Sequence, residues 1–288
     1  MGAARQPFSR RWGMQQVIRA ALLIPLLVYT LYAAGPFLWT AIMSLRLAPE
    51  IYKDPYGLPS PAHPEQYVKA FVDFGYGQYF LNSSIVTGVA LGLITIVASM
   101  AAFIFARARY SFRLRETLFL VIFLAIMFPP QIMILSLYQL MVRYDLYDTK
   151  LGLILVYAAT ELPLAIFLLR SFYAQIPQDI EDAARIDGCS DVSSFWRVMF
   201  PIARPAVITV VVLDLIRFWN EYLYASVLIV SKENRTLPLA IMFFLGEQYQ
   251  DIGMLATGLM IANLPIIILY AFLSERFIEG MTSGSLKG

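Results

Sequence analysis

The sequence is poor in the residues that do chemistry. In 288 residues there is one cysteine, Cys189, and one histidine, His63. A lone cysteine excludes an intrachain disulfide and any cysteine-based metal cluster. His63 sits between prolines, in Pro61-Ala62-His63-Pro64. That leaves no histidine-rich metal site and no Ser-His-Asp triad. No G-x-x-x-x-G-K-[ST] phosphate loop occurs, so any ATP that is used must be held by another chain. Charge is scarce too: Asp, Glu, Lys and Arg make up 15%, against about 25% in ordinary globular domains. The net charge is +2, and without a clustered basic patch there is no reason to expect nucleic acid as a partner.

Apolar residues take up the room. The set AVILMFWYC reaches 59% and the mean hydropathy is +0.65. Too little polar surface remains to cover a water-soluble globule, and the apolar residues come in runs long enough to face lipid. A bilayer core needs about 20 apolar residues per helix. Six segments qualify: Val17 to Ser44, Phe80 to Ala106, Thr117 to Val142 with Pro129-Pro130 inside it, Leu151 to Leu169, Pro205 to Val230, and Gly253 to Ser274. The first is well beyond the roughly 7–15 apolar residues of a signal peptide, so it reads as an uncleaved helix. The expectation is an all-α membrane protein: a tail over 1–16, a six-helix transmembrane domain over 17–274, and a second tail over 275–288.

Six spans put both termini on one side. That side carries Arg5, Arg10, Arg11 and Arg19, then Arg107, Arg109, Arg113 and Arg115, then Arg170, Arg185, Arg197 and Arg204, and finally Arg276 and Lys287. The other side carries half as many: Arg46, Lys53, Lys69, Arg143, Lys150, Lys232 and Arg235. The positive-inside rule then places both termini in the cytoplasm.

The loop between the fourth and fifth segments, residues 175–203, is longer than most others and is patterned. It reads Pro177-Gln178-Asp179-Ile180-Glu181-Asp182-Ala183-Ala184-Arg185-Ile186-Asp187-Gly188. Asp179, Glu181 and Asp182 crowd a first helical turn, where carboxylates complement the positive end of the helix dipole. Ile180, Ala183, Ala184, Ile176 and Ile186 are read as a small apolar face. Gly188 suits the left-handed residue that ends a helix. Ser190 or Asp191 suits the cap of a second helix, which carries Val192, Phe195, Trp196, Val198 and Met199 and is expected to stop at Pro201. A short cytoplasmic helix of this kind fits a groove on a partner protein. It fits equally a helix lying on the membrane face or on its own bundle.

Asp182-Ala183-Ala184, then Gly188, then Val198-x-Phe200-Pro201 resembles the EAA signature of ABC importer permeases. Asp182 stands where that family has Glu, with Glu181 beside it, and Val198 and Phe200 replace Ile and Leu. Phe80-Leu81-Asn82-Ser83-Ser84, Phe218-Trp219-Asn220-Glu221-Tyr222-Leu223-Tyr224-Ala225 with Thr236-Leu237-Pro238-Leu239, and the ending Glu279-Gly280-Met281-Thr282-Ser283-Gly284-Ser285-Leu286-Lys287-Gly288 resemble the MalG-like permeases of carbohydrate importers. The resemblance implies a type I ABC importer permease fold in a bacterial or archaeal cytoplasmic membrane. It implies that the 175–203 loop is a coupling helix docking on an ATPase subunit through Glu181, Asp182, Ala183, Ala184, Asp187, Gly188 and Pro201. The implied partners are a second, MalF-like permease, two ATPase subunits holding ATP and Mg, and a periplasmic or lipid-anchored sugar-binding protein. The chain itself would bind no cofactor and catalyse nothing. The C-terminal tail would reach towards the ATPase dimer as a flexible segment, or fray.

Ionisable residues in hydrocarbon are costly and face a bundle interior or a water-filled path. Glu161 lies mid-segment beside Pro163. Asp214, Arg217 and Glu221 fall on one helical face by their spacing, which suggests either a structural ion-pair ladder within or between helices or a pathway lining. Trp219, Asn220, Tyr222 and Tyr224 offer the aromatic faces and amides that hold sugars, or an interfacial aromatic belt. Glu161, Trp219, Asn220, Glu221 and Tyr224 are the candidate pathway residues. Pro129-Pro130, Pro163 and Pro265 should kink or break their helices, lining a pathway or only packing. Cys189 reads as a small buried group. Three rival readings stand: a permease for a non-sugar solute such as a polyamine, an ion-coupled secondary transporter, and a membrane enzyme, for which no acid/base or metal motif is present.

Overall fold

The computed structural model describes residues 8–247 and 251–283, and among these every regular element is helical. Four helices are long and apolar enough to cross a membrane: α1 (Phe8–Met43) over its 21–43 stretch, α4 (Tyr76–Ala106), α7 (Lys150–Tyr173) and α14 (Ile252–Ser283) over 252–269. Two bent pairs pass the same test together. One is α5 (Arg115–Leu124), extended by a 3-10 turn to Met127, with α6 (Pro130–Arg143), bent by 107°. The other is the 191–202 segment with α11 (Arg204–Trp219), bent by 75°. The remaining α-helices are α2 (Ala48–Lys53), α3 (Glu65–Val72), α8 (Gln178–Ile186), α9 (Asp191–Ser194), α10 (Phe200–Ile202), α12 (Leu223–Leu228) and α13 (Leu237–Glu247).

The prolines act unequally. Pro129-Pro130 breaks its segment outright, because two consecutive residues without N–H groups remove the hydrogen bonds that would carry the helix through. Pro163 and Pro265 lie inside α7 and α14 without interrupting either. The expected fifth span, Pro205 to Val230, is not one helix. α11 stops at Trp219 and α12 starts at Leu223. Glu221 causes the restart: its carboxylate accepts Tyr224 N at 2.7 Å and Ala225 N at 3.1 Å, capping α12. Asn220 donates its amide back to Ile216 O at 2.8 Å, a local bond that competes with helix continuation.

The described residues fall into two compact units. One comprises the residues up to Lys69 together with 251–260. It joins a small apolar cluster of Met43, Ile51 and Ala256 to polar ties: Arg46 donates to Glu50 O and Asp54 O, Gln66 donates to Ser44 O and Arg46 O, and Thr257 donates to Ser44 O.

The other unit comprises 70–247 and 261–283 and holds the main core. Val86, Ala90, Ile94, Ala98 and Ala102 recur every four residues on α4 and are all essentially inaccessible. Such a ridge, rich in alanine, lets a neighbouring helix approach closely. The core it shares includes Leu153, Tyr157, Ile166 and Leu169 of α7 and Val207 and Val210 of α11.

α14 runs on through Ser283, so most of the expected C-terminal tail is helical. Residues 284–288 of that tail, and residues 1–7 of the N-terminal one, lie outside the described residues.

Candidate functional site

α8 ends as its sequence dictates. Gly188 takes φ +85°, Gly188 N donates to Arg185 O at 2.9 Å, and Cys189 N donates to Ala184 O at 3.0 Å. This pair of bonds around a left-handed glycine satisfies carbonyls that a helix end leaves open. Ser190 then caps α9, its hydroxyl accepting Ser193 N at 3.3 Å. Past α9 the chain widens into a π-helix over Phe195–Met199, closed by Phe200 N donating to Phe195 O. The helix passes Pro201 and stops at Ile202. Pro201 therefore does not end it as expected: the wider turn carries the chain past the residue that lacks an N–H. Phe195 seats this segment, its ring 5.3 Å from that of Phe103 on α4 and 6.4 Å from that of Tyr173 on α7.

The faces of α8 differ from the expected ones. Glu181 and Ala184 point inward, and Glu181 is only 2% exposed. Asp179, Asp182, Ala183, Ile186 and Asp187 point outward, with Ile186 86% exposed. Ile186 therefore does not share an inner face with Ala184 and Ile176. The helical repeat places 181, 184 and 185 on one side and 179, 182, 183 and 186 on the other.

Glu181 is held by two arginines. Arg185 Nη2 lies 2.5 Å from its Oε1, and Arg107 Nε lies 3.2 Å from its Oε2. Arg107, just past the end of α4, also donates to Ile176 O at 2.8 Å. Arg185 reaches Asp191 at 3.2 Å and the Tyr110 hydroxyl at 3.4 Å. Burial pushes the Arg107 guanidinium below its usual range, against the pull of Glu181. For Arg185 burial also works downward, but Glu181, Tyr110 and Asp191 outweigh it and raise the group. Burial and the Asp191 charge raise the Tyr110 phenol. Beside this clamp, Glu116 bridges Arg115 and Arg170 at 2.9 Å each, and the Arg170 guanidinium lies 3.8 Å over the Phe119 ring. A stiff ionic frame thus ties α8 to the ends of α4 and α7. Sequence reading placed these arginines on one membrane side but did not single out Arg107, Tyr110 or Arg185.

The mid-span polar residues split into two groups. Arg217 of α11 pairs with Glu161 of α7. Glu221 instead accepts the Tyr157 hydroxyl at 2.6 Å. Of the ladder expected from Asp214, Arg217 and Glu221 within or between helices, the described residues form the between-helix pair of Arg217 with Glu161, because α11 ends between Arg217 and Glu221 and α7 supplies the partners. Asp214 is 3% exposed and its Oδ2 has no hydrogen-bond partner among the described residues. Arg217 and Asn220 are exposed and Glu161 is half-buried. Trp219 is turned inward: its indole N–H donates to Ala262 O at 2.8 Å and its ring meets Phe80 edge-on at 5.4 Å. Tyr224 is buried too. Neither ring offers an open face in this conformation.

Two sequence stretches that lie far apart meet on one spot. Asn82 is fully buried and donates to Glu233 O and Arg235 O, each at 2.8 Å. Ser83 accepts Leu237 N at 2.8 Å. Asp148 forms a second knot, accepting Val230 N at 2.9 Å and Ser231 N at 3.0 Å. These bonds hold its carboxyl below the usual range against the opposing effect of burial. Both stretches carry the family resemblance, but nothing in the sequence says that Asn82 and Ser83 meet the segment before Leu237.

Among the described residues no group of three or more His, Cys, Asp or Glu could hold a metal ion. The described residues make an all-helical fold with two bent helix pairs and a short helix, α8, tied to the end of α4. It matches the structure of a bacterial ABC transporter involved in import of the acidic polysaccharide alginate, with a TM-score of 0.77, at 22% identity, over 96% of this chain and 100% of that one. Residues 94–279 match the family described as "Binding-protein-dependent transport system inner membrane component", and the chain belongs to that family. It is 34% identical, over 91% of its length and 87% of the relative's, to the probable ABC transporter permease protein YurM of Bacillus subtilis. It is 35% identical, over 89% and 93%, to the trehalose transport system permease protein SugB of Mycobacterium tuberculosis.

Proposed function

We propose that this chain is one of two membrane-spanning subunits of an ATP-driven, binding-protein-dependent sugar importer. It crosses the membrane six times, each bent pair counting as one span, with both termini in the cytoplasm. The arginine-rich α4–α5 connection, with Arg107, Arg109 and Arg113, and the α7–α11 connection, with Arg185 and Arg197, support that orientation. The trehalose and alginate systems both carry saccharides, which supports a sugar as cargo. The partners are a second, MalF-like permease, two ATPase subunits holding ATP and Mg, and a periplasmic or lipid-anchored receptor.

One observation carries the coupling role. α8 presents Asp182, Ala183, Ile186 and Asp187 outward while Glu181 is locked beneath them. A helix with a small apolar and acidic outer face suits a groove on a partner. Its rigid attachment passes the partner's movement to α4 and α7. Glu181, Ala184, Gly188 and Pro201 then shape and orient the helix, and the outward residues touch the ATPase. ATP closes the two ATPase subunits, α8 moves with them, and the pathway turns from inward-open to outward-open. Hydrolysis resets it. The pathway face is that of Glu161, Arg217 and Asn220, since an arginine this exposed at mid-span is not tolerated against lipid. Trp219, Glu221 and Tyr224 stand behind it as supports.

The test is cross-linking in a Cys189→Ser background. Cysteine placed at Ile186 or Ala183 should cross-link to a co-purifying ATPase, and cysteine at the buried Ala184 should not. A chain that purifies alone, and whose uptake survives ATP depletion but collapses with an ionophore, overturns the proposal in favour of an ion-coupled carrier.

A further inference from the structure

Two adjoining cavities flank the α8 clamp. The first, about 410 Å³, lies between the last turns of α4 and the α9–π segment. Met100, Ile104, Val192, Phe195 and Trp196 give it an apolar lining, and its size falls in the range of clefts that hold ligands, ~300–1,000 Å³. The second, about 400 Å³, is lined by Arg113, Arg115, Glu116 and Thr117. Ser111 and Phe112 line both cavities. Arg115 is committed to Glu116 and to Arg107 O. Arg113 is exposed and has no acidic partner among the described residues. Arg109, also exposed, has Asp191 as its one acidic partner among the described residues, at 4.0 Å.

With α4 read as a span, its end at Ala106 falls at the depth at which acyl chains give way to headgroups, and the last turns before that end line the groove. An apolar slot at that depth, joined to a depression carrying a free cation, complements a molecule with a tail and an anionic head. We propose that this paired site holds an anionic phospholipid, with one acyl chain between α4 and α9 and the phosphate over Arg113 and Arg109. Basic pockets at the cytoplasmic ends of spans recognise such headgroups, and here the proposal rests on the membrane orientation given above. The lipid bears directly on coupling. Asp191, on the groove wall, is the residue that Arg185 of α8 reaches at 3.2 Å.

Trp196 reports on the site because it lines the groove. The complex isolated through a tag on this chain is reconstituted in phosphatidylcholine vesicles. These contain a small fraction of bromine-labelled phosphatidylglycerol or, separately, of bromine-labelled phosphatidylcholine. The signal is the fluorescence lost in the wild type but not in Trp196→Phe. Phosphatidylglycerol should quench it at lower mole fraction, and that preference should fall about fivefold for each of Arg109→Ala and Arg113→Ala, from the roughly 1 kcal/mol that a basic residue contributes near an anionic surface. Val192→Phe, at an exposed position, should fill the groove and weaken quenching by both lipids. Inorganic phosphate should not compete. Equal quenching by the two headgroups overturns the proposal, and the wild type alone decides this even if a variant does not fold. So does a Trp196 that no lipid quenches, which would mean that a protein covers the groove. An ATPase that co-purifies while lipid preference is absent refutes the lipid site alone and leaves the transport role standing.

Discussion

The carboxylate of Glu181 on α8 meets the guanidinium of Arg107 at the end of α4 across 3.2 Å, with the two side chains 2% and 8% exposed. The pair is separated by more than 70 positions in the chain and fixes the orientation of the helix that carries the family signature. Asp182, its immediate neighbour, is 52% exposed and pairs loosely with Arg185, at 3.8 Å. Two adjacent acids therefore have different tasks. One anchors the helix and the other is presented by it.

That difference is measurable. Glu181→Ala leaves Arg107 buried without its counter-ion and should destabilise the loop by about 3–5 kcal/mol. Faster tryptic cleavage at Arg185 in the detergent-solubilised protein would report it. Asp182→Ala removes an exposed ion pair and should change stability by less than about 1 kcal/mol while lowering ATP-driven uptake. Equal protease resistance in the two variants would contradict the division of roles.

Gly188 has open space around the position a Cβ would take, so the demand for glycine there comes from its φ of +85° alone. Gly188→Val should cost about 1–2 kcal/mol, and Gly188→Asn less, because asparagine tolerates the left-handed region. Thermal inactivation in detergent should rank them glycine, asparagine, valine. A valine variant as stable as the parent would show that the turn relaxes.

Asn82 stands at the start of α4 and closes onto the segment before α13. Asn82→Ala strands two carbonyls and should cost about 1–3 kcal/mol. Asn82→Asp should be worse, since it sets a carboxylate against the same two oxygens. The midpoint of thermal unfolding in detergent should fall in that order.

His63 contacts Glu65 Oε1 at 2.7 Å and Glu50 Oε1 at 3.2 Å. The Glu65 hydrogen bond leads the causes that raise its pKa above the usual 6.5, burial opposing it. A group raised on folding stabilises fully below its unfolded value and loses that contribution as pH climbs through the raised one. The segment around α2 and α3 should therefore loosen on going from about pH 6 to pH 8. With one histidine in the sequence, a chain carrying a histidine-free tag gives a single imidazole resonance to titrate by NMR. A midpoint at or below 6.5 would refute the contact, and Glu65→Gln should lower it.

Apolar segments were legible in the sequence because hydropathy is a local property: a run of about 20 such residues declares a span wherever it falls. The limits of α8 were legible for the same reason. Gly188 ends α8, and Ser190 starts α9, through bonds within three or four residues of themselves. The tertiary structure decided which face of α8 is buried, because that depends on Arg107 arriving from the end of another helix. It decided that Arg217 pairs with Glu161 and not along its own helix, and that α11 stops at Trp219, because Glu221 binds Tyr157 of α7 and caps a new helix. It also decided that Trp219 and Tyr224 pack inward. Local bonding and hydropathy are written residue by residue, whereas the partners of Glu181, Asn82, Arg217 and Glu221 come from distant parts of the chain, and only packing brings them within reach.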